Sequence, residues 1–200
     1  MQWNLDLFML LNASARPSAG MLWVAELAAN APLLLIPTLL TGLWIWGAPQ
    51  RRPALLAVAA SLFAGQGLNW LLGQAWYEPR PFMAGIGHTW IEHVADNGFP
   101  SDHATLAWGL GCGLMLTGIS LRWGIFACAV AILTGWARVF LGVHFPVDVL
   151  VAAPVGLTAG FIARLLRPVA AHLAQPVERL YETILRQLPG WLPLPRRKSG

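Results

Sequence analysis

Charge is what this sequence has least of. Only 11% of its 200 residues are Asp, Glu, Lys or Arg, and 56% are hydrophobic, against about a quarter charged and roughly half apolar in soluble domains. That balance excludes a water-soluble globule and places the chain in a bilayer. Cysteine is scarce too: Cys112 and Cys128 both sit inside apolar runs, where a thiol behaves as a small hydrophobe, so neither supports a redox role. The start lacks the basic stretch of a signal peptide. Ala13-Ser14-Ala15 resembles a cleavage site, but Asp6 interrupts the short apolar run before it, so residues 1–20 are expected to form an interfacial helix that is retained.

What is abundant is long apolar sequence. About 20 such residues cross the hydrocarbon core as a helix, and runs between breakers predict five spans: Leu22–Trp46, Pro53–Trp76, His103–Leu121, Arg122–Val143 and Pro146–Leu166. The expected fold is all-α, a polytopic membrane helical bundle of five to six transmembrane helices, with residues 21–167 as the bundle. Alternating spans put Arg51, Arg52, Arg122, Arg164, Arg167, Arg179, Arg186, Arg196, Arg197 and Lys198 on one side, and only Arg16, Arg80 and Arg138 on the other. By the positive-inside rule the first set is cytoplasmic, so the loop from Tyr77 to Asp102 faces outward. The net charge of +4 is thus spent on topology; a bilayer is the expected partner and nucleic acid is not.

Residues 168–200 alternate at helical spacing, with Leu173, Val177, Leu180, Tyr181, Ile184, Leu185 and Leu188 on one face. They read as an amphipathic tail, either on the cytoplasmic membrane surface or packed on the inner end of the bundle. Gly109-x-x-x-Gly113 and Gly156-x-x-x-Gly160 permit close helix approach, a weak signal among 20 glycines. Glu26 lies one turn inside the first span and is read as facing water. Trp3, Trp23, Trp46, Trp76, Trp90 and Trp123 fall near predicted interfaces, as an aromatic belt does.

Polar chemistry concentrates at the outer ends of the helices: Arg80-Pro81-Phe82, then Phe99-Pro100-Ser101-Asp102-His103, then Arg138 with His144 and Asp148. Arginines at a membrane boundary invite an anion, and the planar guanidinium suits phosphate. Ser101 fits an N-cap and Pro146 the first turn of the next helix, so two helix N-termini can meet one anion. Asp148 follows His144 by four residues, close enough to take its Nδ1–H and leave Nε2 free. His88, Glu92, His93 and Asp96 in the long loop match no metal motif and read as solvated loop polarity.

Arg80-Pro81, Pro100-Ser101-x-His103 and Arg138-x5-His144-x3-Asp148, in that order, resemble the signature of the type 2 phosphatidic acid phosphatase superfamily. The resemblance implies a histidine nucleophile at His144, oriented by Asp148. It implies that His103 protonates the leaving oxygen and then activates water, and that Arg80, Arg138 and Ser101 hold the phosphoryl oxygens. No metal or other cofactor is implied. Phe99 to His103 and Gly142 to Asp148 look most like the bacitracin-resistance-type undecaprenyl-diphosphate phosphatases, which implies a polyprenyl diphosphate in the membrane as substrate. Protein partners are not indicated.

Three positions depart from the superfamily pattern: Gly73 stands where a lysine is usual, Asp102 where glycine is commonest, and Ala137 where serine often stands. Two of these reduce positive charge at a phosphate site. The rival readings are a phosphotransferase moving phosphate from a polyprenyl diphosphate to lipid A, a phosphatidylglycerophosphate or phosphatidic acid phosphatase, and, outside enzymes, a membrane transporter component.

Overall fold

The computed structural model describes residues 2–187. Its six α-helices are α1 (Gln2–Leu11), α2 (Ala19–Trp46), α3 (Arg52–Ala75), α4 (Asp102–Leu116), α5 (Leu121–Phe140) and α6 (Pro146–Gln187). Four of them, α2, α3, α5 and α6, are long and apolar enough to cross a membrane. The remaining predicted span, His103–Leu121, differs. Its helix, α4, has only 15 residues, about 22 Å at roughly 1.5 Å per residue, because the chain turns at Gly118 with φ +74°. It lies in the middle of the bundle, packed on α3, α5 and α6, so its apolar residues face protein.

That central position explains the glycines. A side chain on Gly156 would collide with the Cβ of Trp108, and one on Gly160 would sit 2.7 Å from the Cβ of Cys112. Gly109 meets Ala159 across the same seam and Leu62 of α3 beside it. The spacing pattern, weak in the sequence, is therefore the α4–α6 contact, where close backbones gain dispersion contacts. Around it Val58, Leu62, Leu110, Leu114 and Ala163 form the largest buried cluster.

Both ends of the described chain pack on the bundle, which for the tail is one of the two placements that its pattern allowed. Helix α1 is docked rather than merely lying at an interface. Phe8 is fully buried with its ring 5.2 Å from Phe145, and the Asn4 Oδ1 accepts the Val147 N–H at 2.9 Å. Asn12 ties the following turn to the His88 and Phe140 carbonyls at 2.9 and 3.0 Å. Truncating a buried phenylalanine costs roughly 3–5 kcal/mol, so Phe8→Ala is expected to lower the melting temperature in detergent and weaken activity through the His144 turn. Unchanged melting and activity would show α1 to be dispensable.

Beyond Pro168 the chain does not leave the bundle, because α6 runs on through Pro168 and Pro176. A proline removes one helical donor, and packing outweighs that loss here. Ala170 and Ala174 are buried, the Arg52 Nη1 lies 3.8 Å from Glu178, and the Arg52 guanidinium sits between the Trp44 and Tyr181 rings at 5.1 and 4.9 Å. Leu188, Arg196, Arg197 and Lys198 lie outside the described residues.

Candidate active site

The loop between α3 and α4 folds back over the helix ends instead of standing in solvent. Pro79 pairs with Asn97, the Gly98 N–H donates to Glu78 C=O at 2.9 Å, and the Trp90 N–H donates to Leu141 C=O at 3.1 Å. Trp90 and Ile91 pack on Ala25, Ala29 and Leu141. Trp90 therefore roofs the helix ends, while Trp3, Trp23, Trp46, Trp76 and Trp123 are exposed as a belt would be.

This loop and the turn between α5 and α6 bring the three motifs together. Arg80, Ser101, Arg138, His144 and Asp148 are all buried. His144 Nδ1 lies 3.3 Å from the Asp148 Oδ2, and the same oxygen accepts the Phe145 N–H at 2.8 Å. With Nδ1–H directed at the carboxylate, Nε2 carries the lone pair, and the Arg80 Nη1 donates toward it at 3.1 Å. Arg80 is held by three further acceptors: Asp96 Oδ1 at 2.8 Å, Val143 C=O at 2.9 Å and Asn97 C=O at 3.3 Å. Gly142, with φ +80°, shapes the turn beneath His88.

Ser101 takes the N-cap position of α4 but caps nothing. Its N–H donates to Asp148 C=O at 3.1 Å, while its fully buried hydroxyl has no partner among the described residues. A buried hydroxyl without a partner costs about 1–3 kcal/mol, a cost that a ligand oxygen would remove. Of the two helix N-termini expected to converge, α6 is committed: Val147 N–H goes to Asn4 and Asp148 N–H to Phe145 C=O. Helix α4 is the one that lacks a side-chain cap.

His103, on the first turn of α4, lines a cavity of about 540 Å³ with Arg138, His93, Glu92, Trp90, Asn30 and Glu26. Glu26 is thus water-facing, at the mouth of the site. His93 links this cavity to the His144–Asp148 pair: its ring lies 6.3 Å from that of His144, and its Nε2 accepts from the Arg138 Nη2 at 2.8 Å. His103 and His144 accordingly share one end of the bundle. His93 and Asp96, read from sequence as solvated polarity, instead orient the two arginines. The signal that identifies them is tertiary, because residues that fold back onto a site need no fixed spacing from it. Among the described residues no group of three or more His, Cys, Asp or Glu side chains is placed to hold a metal ion.

The departures at Gly73 and Asp102 have structural reasons. A Cβ at Gly73 would lie 3.1 Å from the Asn97 Nδ2 and 3.2 Å from Phe99 C=O. Asn97 occupies that space, donating to Gly73 C=O at 2.8 Å and to Trp76 C=O at 3.0 Å while its Oδ1 accepts from Glu78 and Phe99. A side chain there would require Asn97 and the Phe99 carbonyl to give by a few tenths of an ångström. Asp102 is held by the Asn69 Nδ2 at 2.8 Å, and Asn69 in turn accepts from Thr105, so its carboxylate ties α4 to α3. Nothing in the structure explains Ala137.

Burial, with Arg138, Arg80 and His93 nearby, drives the His144 pKa well below the usual 6.5, which keeps the imidazole neutral as a nucleophile requires. Burial also lowers His93. The linkage has a definite sign: below about pH 6.5 the unfolded chain takes up a proton at position 144 that the folded chain refuses, so stability falls with pH. Melting temperature in detergent is expected to drop from pH 6.5 to 5, and to drop less in His144→Gln. Parallel curves for the two proteins would refute a neutral His144.

A buried histidine–aspartate pair, two arginines and an unpartnered serine hydroxyl at one end of a membrane bundle are a phosphoryl-transfer arrangement. Residues 54–170 match the model of the PAP2 superfamily, a segment that holds Arg80, Ser101, His103, Arg138, His144 and Asp148. The chain belongs to the PAP2 superfamily. Within it, this chain is 34% identical to undecaprenyl-diphosphatase BcrC of Bacillus subtilis (strain 168) over 84% of each chain. It is 30% identical to YbjG of Escherichia coli (strain K12), named provisionally as an undecaprenyl-diphosphatase, over 98% of this chain and 96% of that one. The crystal structure of Aquifex aeolicus LpxE is similar at a TM-score of 0.63 and 26% identity, covering 80% of this chain and 94% of that chain. This PAP2 protein is a multi-pass membrane phosphatase that acts on lipid phosphates.

Proposed function

We propose that the chain hydrolyses undecaprenyl diphosphate to the monophosphate at the outer face of the bacterial inner membrane, through a phosphohistidine on His144. The observation that carries the mechanism is the His144 pair, with Nδ1 facing Asp148 and Nε2 facing Arg80. The terminal phosphate displaces the Arg80 Nη1 from Nε2, taking it on an oxygen while phosphorus meets the nitrogen lone pair. Arg138 and the Ser101 hydroxyl take the other phosphoryl oxygens, so the charge that develops in the transition state meets donors already in place.

Nε2 forms a bond to phosphorus as the bridging P–O bond breaks, and His103 supplies the proton to the leaving lipid phosphate. The same His103 then removes a proton from water, which attacks phosphorus, breaks the P–N bond and releases inorganic phosphate. Asp148 holds the imidazole in the attacking tautomer. Residues of this chain fill every one of these roles.

The substrate assignment is supported by the likeness to BcrC over most of the chain and by the position of the site at helix ends, where a diphosphate sits at headgroup level while its isoprenoid stays among the helices. Orientation is supported by the arginine distribution: Arg51, Arg52, Arg122, Arg164 and Arg167 gather at the end opposite His144. The test is phosphate release from undecaprenyl diphosphate by the detergent-purified protein, with EDTA present and no lipid acceptor. Release is expected. Its absence, with the terminal phosphate appearing on an added acceptor lipid instead, would assign a phosphotransferase.

A further inference from the structure

The end of the bundle away from His144 carries a second polar cavity, of about 690 Å³. Its walls come from the turn before α3, the α4–α5 turn and the middle of α6, with Gln50, Pro53, Thr117, Gly118, Arg164 and Arg167 among them. No carboxylate among the described residues lines it. The Arg167 Nη1 makes only a long contact to Thr117 C=O at 3.4 Å. Arg164 and Gln50 are exposed and make no hydrogen bond or ion pair with any described residue. Arg52, the buried arginine of this end, is already committed to Glu178 and the Trp44 and Tyr181 rings.

Two guanidinium groups, one of them on the Thr117 carbonyl, and an amide thus line a concave site that has no carboxylate among its described residues. Its depth identifies the ligand class. Arg164 and Arg167 lie roughly 24–28 Å along α6 from Asp148 at about 1.5 Å per residue, close to the thickness of a hydrocarbon core, about 30 Å. A site that distance from the catalytic headgroup level sits at the headgroup level of the opposite leaflet, where basic pockets between helices take phospholipid headgroups. Leu165 and Val169, exposed on the same stretch of α6, offer apolar surface for acyl chains.

We propose that this cavity binds the phosphate of an anionic phospholipid from the leaflet opposite the substrate. The lipid phosphate bridges Arg164 and Arg167, with Gln50 donating to a headgroup oxygen. Occupancy clamps α6 to the α4–α5 turn and the start of α3, and so stabilises the helix that carries Asp148 at its other end. This site is independent of the reaction at His144.

The experiment is lipid retention by native mass spectrometry, together with melting temperature, on the full chain in detergent. Phosphatidylglycerol, phosphatidylcholine and inorganic phosphate are added separately to wild type and to Arg164→Gln/Arg167→Gln. Phosphatidylglycerol is expected to be retained and to raise the melting temperature of the wild type, with phosphatidylcholine well behind. At about 1 kcal/mol for each basic residue, the double variant is expected to bind roughly thirtyfold more weakly while keeping its phosphatase activity. Equal retention of phosphatidylglycerol by both proteins would overturn the site. An equal effect of inorganic phosphate that the double substitution removes would make it a small-anion site and overturn the lipid assignment. Should the double variant not fold, Arg164→Gln alone, at an exposed and unpartnered side chain, must show the weakened retention.

Discussion

Replacing His144 by alanine is expected to lower lipid phosphate hydrolysis by at least about 10⁴-fold, the scale on which loss of a covalent nucleophile acts. The loss must be chemical rather than structural. His144→Ala leaves the buried Asp148 carboxylate with the Phe145 N–H as donor to its Oδ2, so the melting temperature of the variant is measured beside its activity to show that it is folded. Substrate labelled in the terminal phosphate should leave an acid-labile, alkali-stable label on the wild type and none on His144→Ala. Asp148→Asn should still be labelled, more slowly by about 10²–10⁴-fold, because the amide keeps the volume and misdirects the imidazole tautomer. Labelling of His144→Ala at the wild-type rate would place the nucleophile elsewhere.

The second large effect separates the two jobs assigned to His103. As the acid, it matters in proportion to the basicity of the leaving oxygen; as the base, it matters for every substrate, because water must attack the phosphohistidine whatever has left. His103→Gln is therefore expected to lose about 10²–10⁴-fold on a lipid phosphate but to form the phosphoenzyme at close to normal rate from an aryl phosphate with a weakly basic leaving group. The aryl substrate should then give a burst of about one phenolate per protein followed by slow turnover. The cavity that His103 lines with Arg138 and His93 supplies the space for a leaving group beside it. Equal losses on both substrates without a burst would assign His103 to binding alone.

Both experiments rest on residues already legible in the sequence, and the reason is local. His144 and Asp148 are four residues apart at the start of one helix, and Ser101 and His103 flank the start of another. Arg80 and Arg138 end the segments that lead into those turns. Short-range geometry of this kind survives in spacing. The all-α membrane character was legible because a bilayer leaves the backbone few other ways to satisfy its hydrogen bonds.

Long-range relations were not. His93 and Asp96 became partners of Arg138 and Arg80 only because the loop folds back. Asn97 packs tightly beside Gly73, a contact between residues 24 positions apart that spacing does not reveal. Helix α1 proved to be a prop under the His144 turn through Phe8 and Asn4, and α6 continued past Pro168 with Ala170 and Ala174 buried and Glu178 facing Arg52 at the start of α3.

The sequence by itself determined the solvent, the helical class and the six residues that resemble a family signature, since hydropathy and spacing along one chain carry those facts. Tertiary structure decided which groups orient the arginines, that the Ser101 hydroxyl is left without a partner, and that a second basic cavity forms one membrane thickness from the first. Each of those depends on side chains brought together from distant segments, and burial and mutual distance are properties that only the packed bundle has.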